Sequence, residues 1–229
     1  MNIAVLSDIH SNKYALKATL EYLKERDIDQ FIFLGDFFGY YPWAQETYVL
    51  LKSVFEKSIH ILGNHDELLL NKKNLELKPE YWDVLQNNKK ELSSEALAWL
   101  STLKAEKKII LDTINFSMHH GTPDDSLSGR YYPDDECKYK WFPLENEILL
   151  LGHTHYPLIR KFKEKSLLIN PGSVGQPRDG ITSSSGCIID TKTLSVDFFR
   201  VPYLNDLITE ELINMAWYPR AIQLLKKIK

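Results

Sequence analysis

The stretch Ile3-Ala4-Val5-Leu6-Ser7-Asp8-Ile9-His10 indicates the fold class, because a short apolar run is followed within four residues by a carboxylate and an imidazole. Its first four residues are typical of a buried β-strand. Leucines then recur at helical spacing at positions 16, 20 and 23, and a second apolar run follows at residues 31–34. Strands that alternate with helices in this way predict a parallel sheet built from right-handed crossovers.

Polar residues follow each of the first three apolar runs, of which the third covers residues 59–62. The residues concerned are Ser7-Asp8-Ile9-His10, Gly35-Asp36 and Gly63-Asn64-His65-Asp66. In open α/β sheets, ligands bind at the carboxyl ends of the strands. Three strand ends that carry metal-binding or proton-transferring side chains therefore predict one functional site at this edge of the sheet.

The rest of the chain predicts a helical segment, a second set of strands and a helical end. Residues 67–107, with Trp82 and Trp99, read as a helical excursion that either covers the site or mediates self-association. Strand-like runs with short connections, which predict mainly antiparallel pairing, follow at residues 109–111, 114–118, 148–151, 158–162, 167–169, 186–190 and 195–200. Residues 205–229 show apolar residues at helical spacing. We predict an α/β fold of the αββα type, with residues 1–229 in one domain.

The composition excludes several functional classes. The chain has 229 residues, 44% of them hydrophobic, with 28 Lys and Arg residues against 31 Asp and Glu residues and a net charge of −3. This balance, without a basic block, argues against stable nucleic-acid binding. No stretch approaches the roughly 20 apolar residues of a membrane span. The N-terminal residues lack signal-peptide features, and Cys137 and Cys187 have no metal-like spacing, so we expect reduced thiols and a cytoplasmic location.

Five short clusters carry side chains that bind metals or transfer protons. They are Asp8-Ile9-His10, Gly35-Asp36, Gly63-Asn64-His65-Asp66, His119-His120-Gly121 and Gly152-His153-Thr154-His155. Residues two apart in an extended segment point to the same side, so Asp8 and His10 can share a ligand, as can His153 and His155. Carboxylate and imidazole ligands without cysteine suit Mn²⁺, Fe²⁺ or Zn²⁺ in a catalytic site. The candidates are too many for one ion, which favours two metal ions with a shared carboxylate.

The order of these clusters, D-x-H, G-D, G-N-H-[DE], H-G and G-H-x-H, resembles that of the calcineurin-like metallophosphoesterase superfamily over roughly residues 1–200. A sixth segment at residues 170–180, Asn-Pro-Gly-Ser-Val-Gly-Gln-Pro-Arg-Asp-Gly, resembles the small bacterial and archaeal phosphodiesterase branch, which includes relatives of diadenosine-tetraphosphate hydrolases. The resemblance implies a four-layer αββα sandwich, in which two mixed β-sheets are flanked by helices.

The resemblance also implies a ligand set and a mechanism. One metal ion would be held by Asp8, His10, Asp36 and His155, and the other by Asp36, Asn64, His120 and His153. A hydroxide bridging the two ions would attack phosphorus in line, without a covalent enzyme intermediate. His65 would lie on the leaving-group side, where it donates a proton or stabilises charge. Some family members orient this histidine with a carboxylate shortly after the second cluster; residues 37–40 contain no acid, so its partner is left open.

Several of these residues have a structural alternative. Asp8 or Asn12 could cap the helix that follows, because short polar side chains satisfy free N–H groups there. Asp66 fits a helix start better than a ligand position. His119 and His120 are neighbours on a strand and face opposite ways, so only one of them can reach the metals. The resemblance assigns His120 as that ligand.

Two arginines are candidates for substrate binding. Arg178 lies in the sixth segment and Arg130 lies in a loop of the second half, and either guanidinium could bind a phosphate through two hydrogen bonds. A surface salt bridge explains Arg130 equally well. Arg178 is the better candidate, because the resemblance places its segment near the site.

The leading hypothesis is a binuclear metal-dependent phosphoesterase that hydrolyses phosphodiester or phosphoanhydride bonds of small nucleotide-type substrates. Diadenosine polyphosphates and nucleoside cyclic phosphates are the specific candidates. A phosphomonoesterase acting on a small metabolite is the alternative enzyme. A non-catalytic protein-interaction scaffold of the same fold is the alternative from another class, although the complete ligand set and the presence of His65 argue against it. The C-terminal helix could also support a homodimer.

Overall fold

Two β-sheets of five strands form the centre of the molecule in the computed structural model, which describes residues 1–71, 78–135, 141–162 and 165–226. The strands are β1 (Asn2–Leu6), β2 (Gln30–Phe33), β3 (Ser58–His60), β4 (Glu106–Leu111), β5 (Ile114–His119), β6 (Glu147–Leu151), β7 (Leu158–Lys161), β8 (Leu167–Asn170), β9 (Ser184–Asp190) and β10 (Ser195–Val201). The helices are α1 (Lys13–Lys24), α2 (Ala44–Lys52), α3 (Asn64–Leu70), α4 (Pro79–Glu91), α5 (Ser94–Ser101), α6 (Asn205–Asn214) and α7 (Pro219–Lys226). None of the described helices combines the length and the hydrophobicity that a membrane span requires.

The first sheet has the strand order β10-β9-β1-β2-β3. β1 pairs in parallel with β2, with Ile3 opposite Gln30, and β2 pairs in parallel with β3. The parallel arrangement predicted for the first third of the chain is therefore confirmed, and the carboxyl ends of these three strands lie at one edge. β9 joins the other side of β1 in antiparallel orientation, which makes the sheet mixed. β3 ends at His60, two residues before the end that the sequence predicted.

The second sheet has the order β4-β5-β6-β8-β7 and corrects one expectation. Its outer pairs, β4 with β5 and β7 with β8, are antiparallel, whereas β5, β6 and β8 pair in parallel. The prediction of mainly antiparallel strands is wrong for these three central strands. The physical reason is the length of their connections. Residues 120–146 and 152–166 are long enough for the crossovers that parallel pairs need.

The side chains between the two sheets form a continuous apolar core. Val5 and Ile32 of the first sheet belong to one buried cluster with Phe116, Met118 and Leu150 of the second, and each is at most 1% exposed. Burying a side chain of this size contributes about 1.5–3 kcal/mol relative to leaving it exposed. This core fixes the distance between the sheets, and so it also fixes how their strand ends meet. Cys187 lies in the same core as a free thiol, and Cys137 lies outside the described residues.

The outer faces of the two sheets are covered differently. On the first sheet, Leu6 and Phe33 pack in one cluster with Leu16 of α1 and with apolar residues of α2, α4 and α5. On the second sheet, the covering side chains in the described part of the chain include Tyr131 and Trp141, from the connection between β5 and β6. The predicted α/β class, with two mixed sheets flanked by helices, is confirmed.

The predicted C-terminal helical tail consists of two helices, α6 and α7. They are separated at residues 215–218, where Ala216 has a left-handed φ of 49°, which an α-helix does not accommodate. Ile208 and Leu212 of α6 are fully buried against residues that follow β2. Trp217 Nε1 donates a hydrogen bond to the Tyr40 carbonyl (2.7 Å). The tail is therefore attached to the loop after β2, and residues 227–229 of the prediction lie outside the described residues.

Helix α4 belongs to the helical excursion and is bonded to the loops that follow β1 and β2. The side-chain oxygen of its fully buried Asn88 accepts hydrogen bonds from the Ser11 hydroxyl (2.7 Å) and the Gly39 N–H (2.8 Å). The amide nitrogen of Asn88 donates to the Tyr41 carbonyl (2.9 Å). The excursion thus packs over the strand ends of the first sheet, and its role in self-association stays a prediction.

Replacing Asn88 by alanine should lower the free energy of unfolding by about 1–3 kcal/mol, because buried polar groups of both loops lose their partner. Urea denaturation followed by circular dichroism measures this change. Asn87, the preceding residue on α4, has an exposed side chain, so Asn87→Ala is the matched control and should unfold like the wild type. Equal stability of the three proteins would contradict the bridging role of Asn88.

Candidate metal centre

The loops after β1, β2, β5 and β6 meet at one edge of the two sheets. Backbone hydrogen bonds join the first two loops, from the Asp8 N–H to the Gly35 carbonyl (3.0 Å) and from the Ile9 N–H to the Asp36 carbonyl (2.9 Å). The His153 N–H donates to Asp8 Oδ2 (3.1 Å) and ties the second sheet to the first. Residues that are far apart in sequence are brought together here.

Asp8, His10 and His155 form the first cluster of candidate ligands. His155 Nε2 lies 3.1 Å from Asp8 Oδ1 and 3.1 Å from His10 Nε2. All three side chains are buried. Their ligand atoms lie within 4.8 Å of one another, so they can contact a single ion.

Asp36, His120 and His153 form a second cluster. His120 Nε2 lies 3.3 Å from Asp36 Oδ2 and 3.0 Å from Asn64 Oδ1. Asn64 is the first residue of α3, and the start of this helix places the Asn64 side-chain amide against the cluster. The structure therefore brings together all seven residues that we predicted to be metal ligands.

The carboxylate of Asp36 lies between the two clusters. Its Oδ1 accepts a hydrogen bond from the His65 N–H (2.8 Å). Its Oδ2 makes no hydrogen bond of acceptable geometry with any described residue, yet it lies within 3.8 Å of imidazole nitrogens of His10, His65 and His120. Asp8 Oδ1 is also buried without a hydrogen bond from any described residue. Leaving a buried carboxylate oxygen without a donor is costly, and a cation removes that cost.

Backbone carbonyls orient two of the imidazoles. The Nδ1–H of His120 donates to the Leu34 carbonyl (2.6 Å), and the Nδ1–H of His155 donates to the Gln176 carbonyl (2.6 Å). Each ring then presents Nε2 to the cluster, which is the usual arrangement of metal-binding histidines. No sequence motif marked these two carbonyls, because any residue type supplies one.

Five of the candidate ligands have an unusual backbone conformation. Asp8, His10, Asp36, His153 and His155 have φ angles between 53° and 65°. A non-glycine residue in this left-handed region costs on the order of 1–3 kcal/mol when the surroundings enforce it. Such strain persists where the fold over-determines the backbone, and it concentrates at functional sites. The loops are therefore shaped by the site and not by local preference.

The close approach of the second and third motifs requires glycine at two positions. A Cβ on Gly35 would overlap the backbone of Gly63, and a Cβ on Gly63 would overlap the Asp36 carboxylate. Gly35 also has a φ of +90°, which favours glycine. These two glycines let the loop after β2 lie directly against the start of α3.

Burial and mutual charges set the protonation of the clusters. Burial lowers the pKa of His10 well below its usual value. Burial and the charge of His120 together lower the pKa of His153 to about 3. Burial also acts to lower the pKa of His120, but the charge of Asp36 outweighs it and raises that pKa to about 9. Burial acts to raise the pKa of Asp36, and the charges of His120 and His65 hold it well below its usual range. His120 and Asp36 thus form an ion pair in which a metal ion would replace the proton.

The donor set fits divalent metal ions. It combines carboxylate oxygens, an amide oxygen and imidazole nitrogens, which are ligands that Mn²⁺, Fe²⁺ and Zn²⁺ accept. Asp8 Oδ1 and Asp36 Oδ2 have no hydrogen-bond partner in the part of the chain that the structure describes, so both are available to a cation. Divalent metal binding is the chemistry for which this arrangement is suited.

Two polar residues near the clusters have structural roles. Asn12, and not Asp8, caps α1, since its side chain accepts a hydrogen bond from the Ala15 N–H (3.1 Å). Asp66 accepts hydrogen bonds from two successive backbone N–H groups, beginning with that of Phe37 (3.2 Å). Asp66 therefore fastens the loop after β2 to the first turn of α3, in line with a helix-start role.

His65 lies beside both clusters, and its ring meets Tyr81 of α4. Nδ1 of His65 and the Tyr81 hydroxyl are hydrogen-bonded, and Nε2 lies 3.8 Å from Asp36 Oδ2. The nitrogens of His65 and His10 and a carboxylate oxygen of Asp36 also have ligand-like spacing. The His65 side chain is 12% exposed, whereas Asp36 is fully buried. Tyr81 is a contact that the sequence did not reveal, because it forms only when α4 packs on the site.

The two candidate arginines lie at the rim of the clusters, with exposed side chains. Arg130 Nε donates to His153 Nε2 (3.2 Å). Arg178 donates to the side-chain oxygen of Gln176 (3.0 Å), and its charge adds to the effect of burial in lowering the pKa of His65. One guanidinium thus lies on the His153 side and the other on the His65 side.

His119 and His120 point in opposite directions, as neighbours on a strand do. His119 Nδ1 is hydrogen-bonded to the Ser126 hydroxyl (2.9 Å), outside both clusters. The two residues therefore offer a matched pair of substitutions.

Replacing His120 by alanine should reduce the number of divalent ions that the protein retains, because the second cluster loses a ligand. Elemental analysis of protein dialysed against Mn²⁺ measures this stoichiometry. His119→Ala is the control and should retain as much metal as the wild type. Loss of metal in His119→Ala with full retention in His120→Ala would reverse the assignment.

Comparison with known proteins identifies the family. The calcineurin-like phosphoesterase superfamily domain matches residues 1–194. The uncharacterized protein MJ0912 of Methanocaldococcus jannaschii is 34% identical over 222 residues, which cover 88% of this chain and 87% of that protein. The fold is shared with PH1004 from Pyrococcus horikoshii (TM-score 0.85, 24% identity, 98% of this chain and 97% of that chain). It is also shared with a metallophosphoesterase from Sphaerobacter thermophilus (TM-score 0.77, 24% identity, 99% and 98%). The chain belongs to the calcineurin-like phosphoesterase superfamily.

Proposed function

We propose that this protein is a binuclear metal-dependent phosphoesterase that hydrolyses phosphodiester or phosphoanhydride bonds of small nucleotide-type substrates. Membership of the superfamily supports hydrolysis of phosphate esters. The observation that carries the proposal is the position of Asp36, whose Oδ2 lies 3.8 Å from His10 Nε2 of one cluster and 3.3 Å from His120 Nε2 of the other. A carboxylate placed in this way can serve two ions at once.

The two clusters give the ligand sets. One ion would be held by Asp8, His10, Asp36 and His155, and the other by Asp36, Asn64, His120 and His153. When bound, two divalent ions lower the pKa of a water molecule and neutralise charge that develops on the phosphoryl oxygens. Burial of the ligands keeps bulk water away, which strengthens each electrostatic interaction in the site.

His65 has the position of a group that acts on the substrate. Its side chain is partly exposed, and its Nδ1 is engaged by Tyr81, so Nε2 is the nitrogen that faces the reaction. We place Nε2–H against the leaving-group oxygen, where it donates a hydrogen bond as negative charge develops there.

The charges at the rim support a substrate with more than one phosphate. Arg130 and Arg178 present guanidinium groups on different sides of the clusters, and each can bind a phosphate through two hydrogen bonds. Dinucleoside polyphosphates and nucleoside cyclic phosphates are therefore our candidate substrates. A phosphomonoesterase for a small metabolite is the second candidate, since one arginine suffices for a single phosphate.

A non-catalytic scaffold explains the site less well. Asp8 Oδ1 and Asp36 Oδ2 are both buried without a hydrogen bond from any described residue, and five ligand positions are strained. A surface used only for protein contacts gains nothing from these costs, whereas metal binding offsets them.

Protein supplied with Mn²⁺ should hydrolyse bis(p-nitrophenyl) phosphate, and excess chelator should stop the release of p-nitrophenolate. Asp36→Asn should abolish this turnover, because both ligand sets lose their shared carboxylate. Asp197→Asn, which alters an exposed carboxylate on β10, is the matched control and should keep full activity. Undiminished turnover in the presence of chelator would contradict the metal-dependent mechanism.

His65→Ala should retain its metal ions but slow turnover by roughly 10²-fold or more, which is the usual size of a lost acid–base or charge-stabilising group. Steady-state kinetics and elemental analysis on the same sample measure both quantities. Loss of metal together with activity would instead assign His65 to a ligand set, as its spacing from His10 and Asp36 allows.

We also propose that residues 1–229, with the helical excursion and the C-terminal tail, form a single domain. We further propose that the protein is a cytoplasmic homodimer that does not bind nucleic acid stably.

A further inference from the structure

We infer that Tyr81 is the positioning residue of His65: its hydroxyl donates a hydrogen bond to Nδ1 and so keeps the ring proton on Nε2, where the substrate would be bound. The inference deepens the proposed function and rests on it. Through Tyr81, the helical excursion would take part in the reaction as well as cover the strand ends.

The Tyr81 ring meets the His65 ring edge-on. Tyr81 is 6% exposed, and its ring lies 5.3 Å from the His65 ring at an interplanar angle of 87°. In this edge-on arrangement, the hydroxyl reaches Nδ1, with which it is hydrogen-bonded. A Cβ on Gly39 would lie 2.8 Å from the Tyr81 hydroxyl and 3.5 Å from His65 Nδ1. The missing side chain at position 39 therefore leaves room for the contact.

The Asp36 carboxylate sets the direction of this hydrogen bond. Nε2 of His65 lies 3.8 Å from the buried Asp36 Oδ2, which faces this side of the ring. A carboxylate oxygen favours a proton on the nitrogen that faces it, so Nε2 carries the proton of the neutral ring. Nδ1 is then an acceptor, and the Tyr81 hydroxyl is the group that donates to it.

Helix α4 is fixed relative to the same loops. Asn88 lies two helical turns after Tyr81, and it is bonded to Ser11 in the loop after β1 and to Gly39 in the loop after β2. The two residues lie on the same face of α4. The part of α4 that carries Tyr81 is therefore held against these loops by a buried amide.

The chemical consequence differs from that of a carboxylate partner. A carboxylate at Nδ1 would stabilise a positively charged ring, whereas a neutral hydroxyl does so far less. With Tyr81 as its partner, His65 acts by donating the Nε2–H hydrogen bond to the leaving-group oxygen. Residues 37–40, which contain no acid, are consistent with this assignment.

The first test needs no metal and no turnover. Long-range ¹H–¹⁵N correlation spectra of the metal-free protein, with the His65 signals identified by their loss in His65→Ala, report which ring nitrogen carries the proton. The wild type should show a single Nε2–H tautomer, and Tyr81→Phe should shift it toward a mixture. Tyr218→Phe is the matched control, because its ring lies 5.8 Å from the Tyr81 ring, and it should leave the tautomer unchanged. An identical tautomer in Tyr81→Phe and wild type would overturn the inference.

The second test measures catalysis in a double-mutant cycle with bis(p-nitrophenyl) phosphate and Mn²⁺. Tyr81→Phe should lower kcat by about 10–100-fold, as expected for a partner that orients a functional imidazole, with KM and metal content unchanged. In a His65→Ala background the same substitution should cost nothing further. An equal loss in both backgrounds would show that Tyr81 acts only through the fold.

The activity of the wild type and that of Tyr81→Phe separate the proposed function from the role of Tyr81. A wild-type protein without turnover on any phosphoester would overturn the proposed function, and with it the role of Tyr81 in the reaction. An active wild type with an equally active Tyr81→Phe would overturn the role of Tyr81 alone.

Discussion

The buried carboxylate of Asp36 constrains the whole site. One of its oxygens accepts the His65 N–H, and the other faces three imidazole nitrogens without a hydrogen bond from any described residue. A charge in this environment has to be compensated, and no single loop supplies enough groups to do so. The compensation comes from loops of both sheets, so the site exists only where the strand ends of β1, β2, β5 and β6 meet.

The fold tolerates a strained and highly charged edge because its core is elsewhere. The apolar cluster between the sheets and the helices on the first sheet provide burial that does not depend on the site. Left-handed backbone at five candidate ligands works against stability, and so does a buried carboxylate oxygen that receives no hydrogen bond from any described residue. Metal ions that bind only the folded state would offset these costs by mass action. We therefore view the site as completed by its metals.

Local sequence indicated the candidate clusters but not their surroundings. Asp8, His10 and Asp36 were recognised because each lies within four residues of the end of an apolar run, and a strand end is a local feature. The parallel pairing of β5, β6 and β8 was missed because it depends on the path of the long connections and not on any strand's own residues. Tyr81 was missed because its partner is 16 positions away and the contact requires α4 to pack over the loops. Both the strand pairing and the Tyr81 contact depend on tertiary packing, which leaves no short-range signal in the sequence.

An anomalous difference map from crystals grown with Mn²⁺ would show whether two metal ions share Asp36. We expect two peaks, both in contact with the Asp36 carboxylate, one beside His155 and the other beside His120. A single peak, or two peaks that Asp36 does not touch, would contradict it.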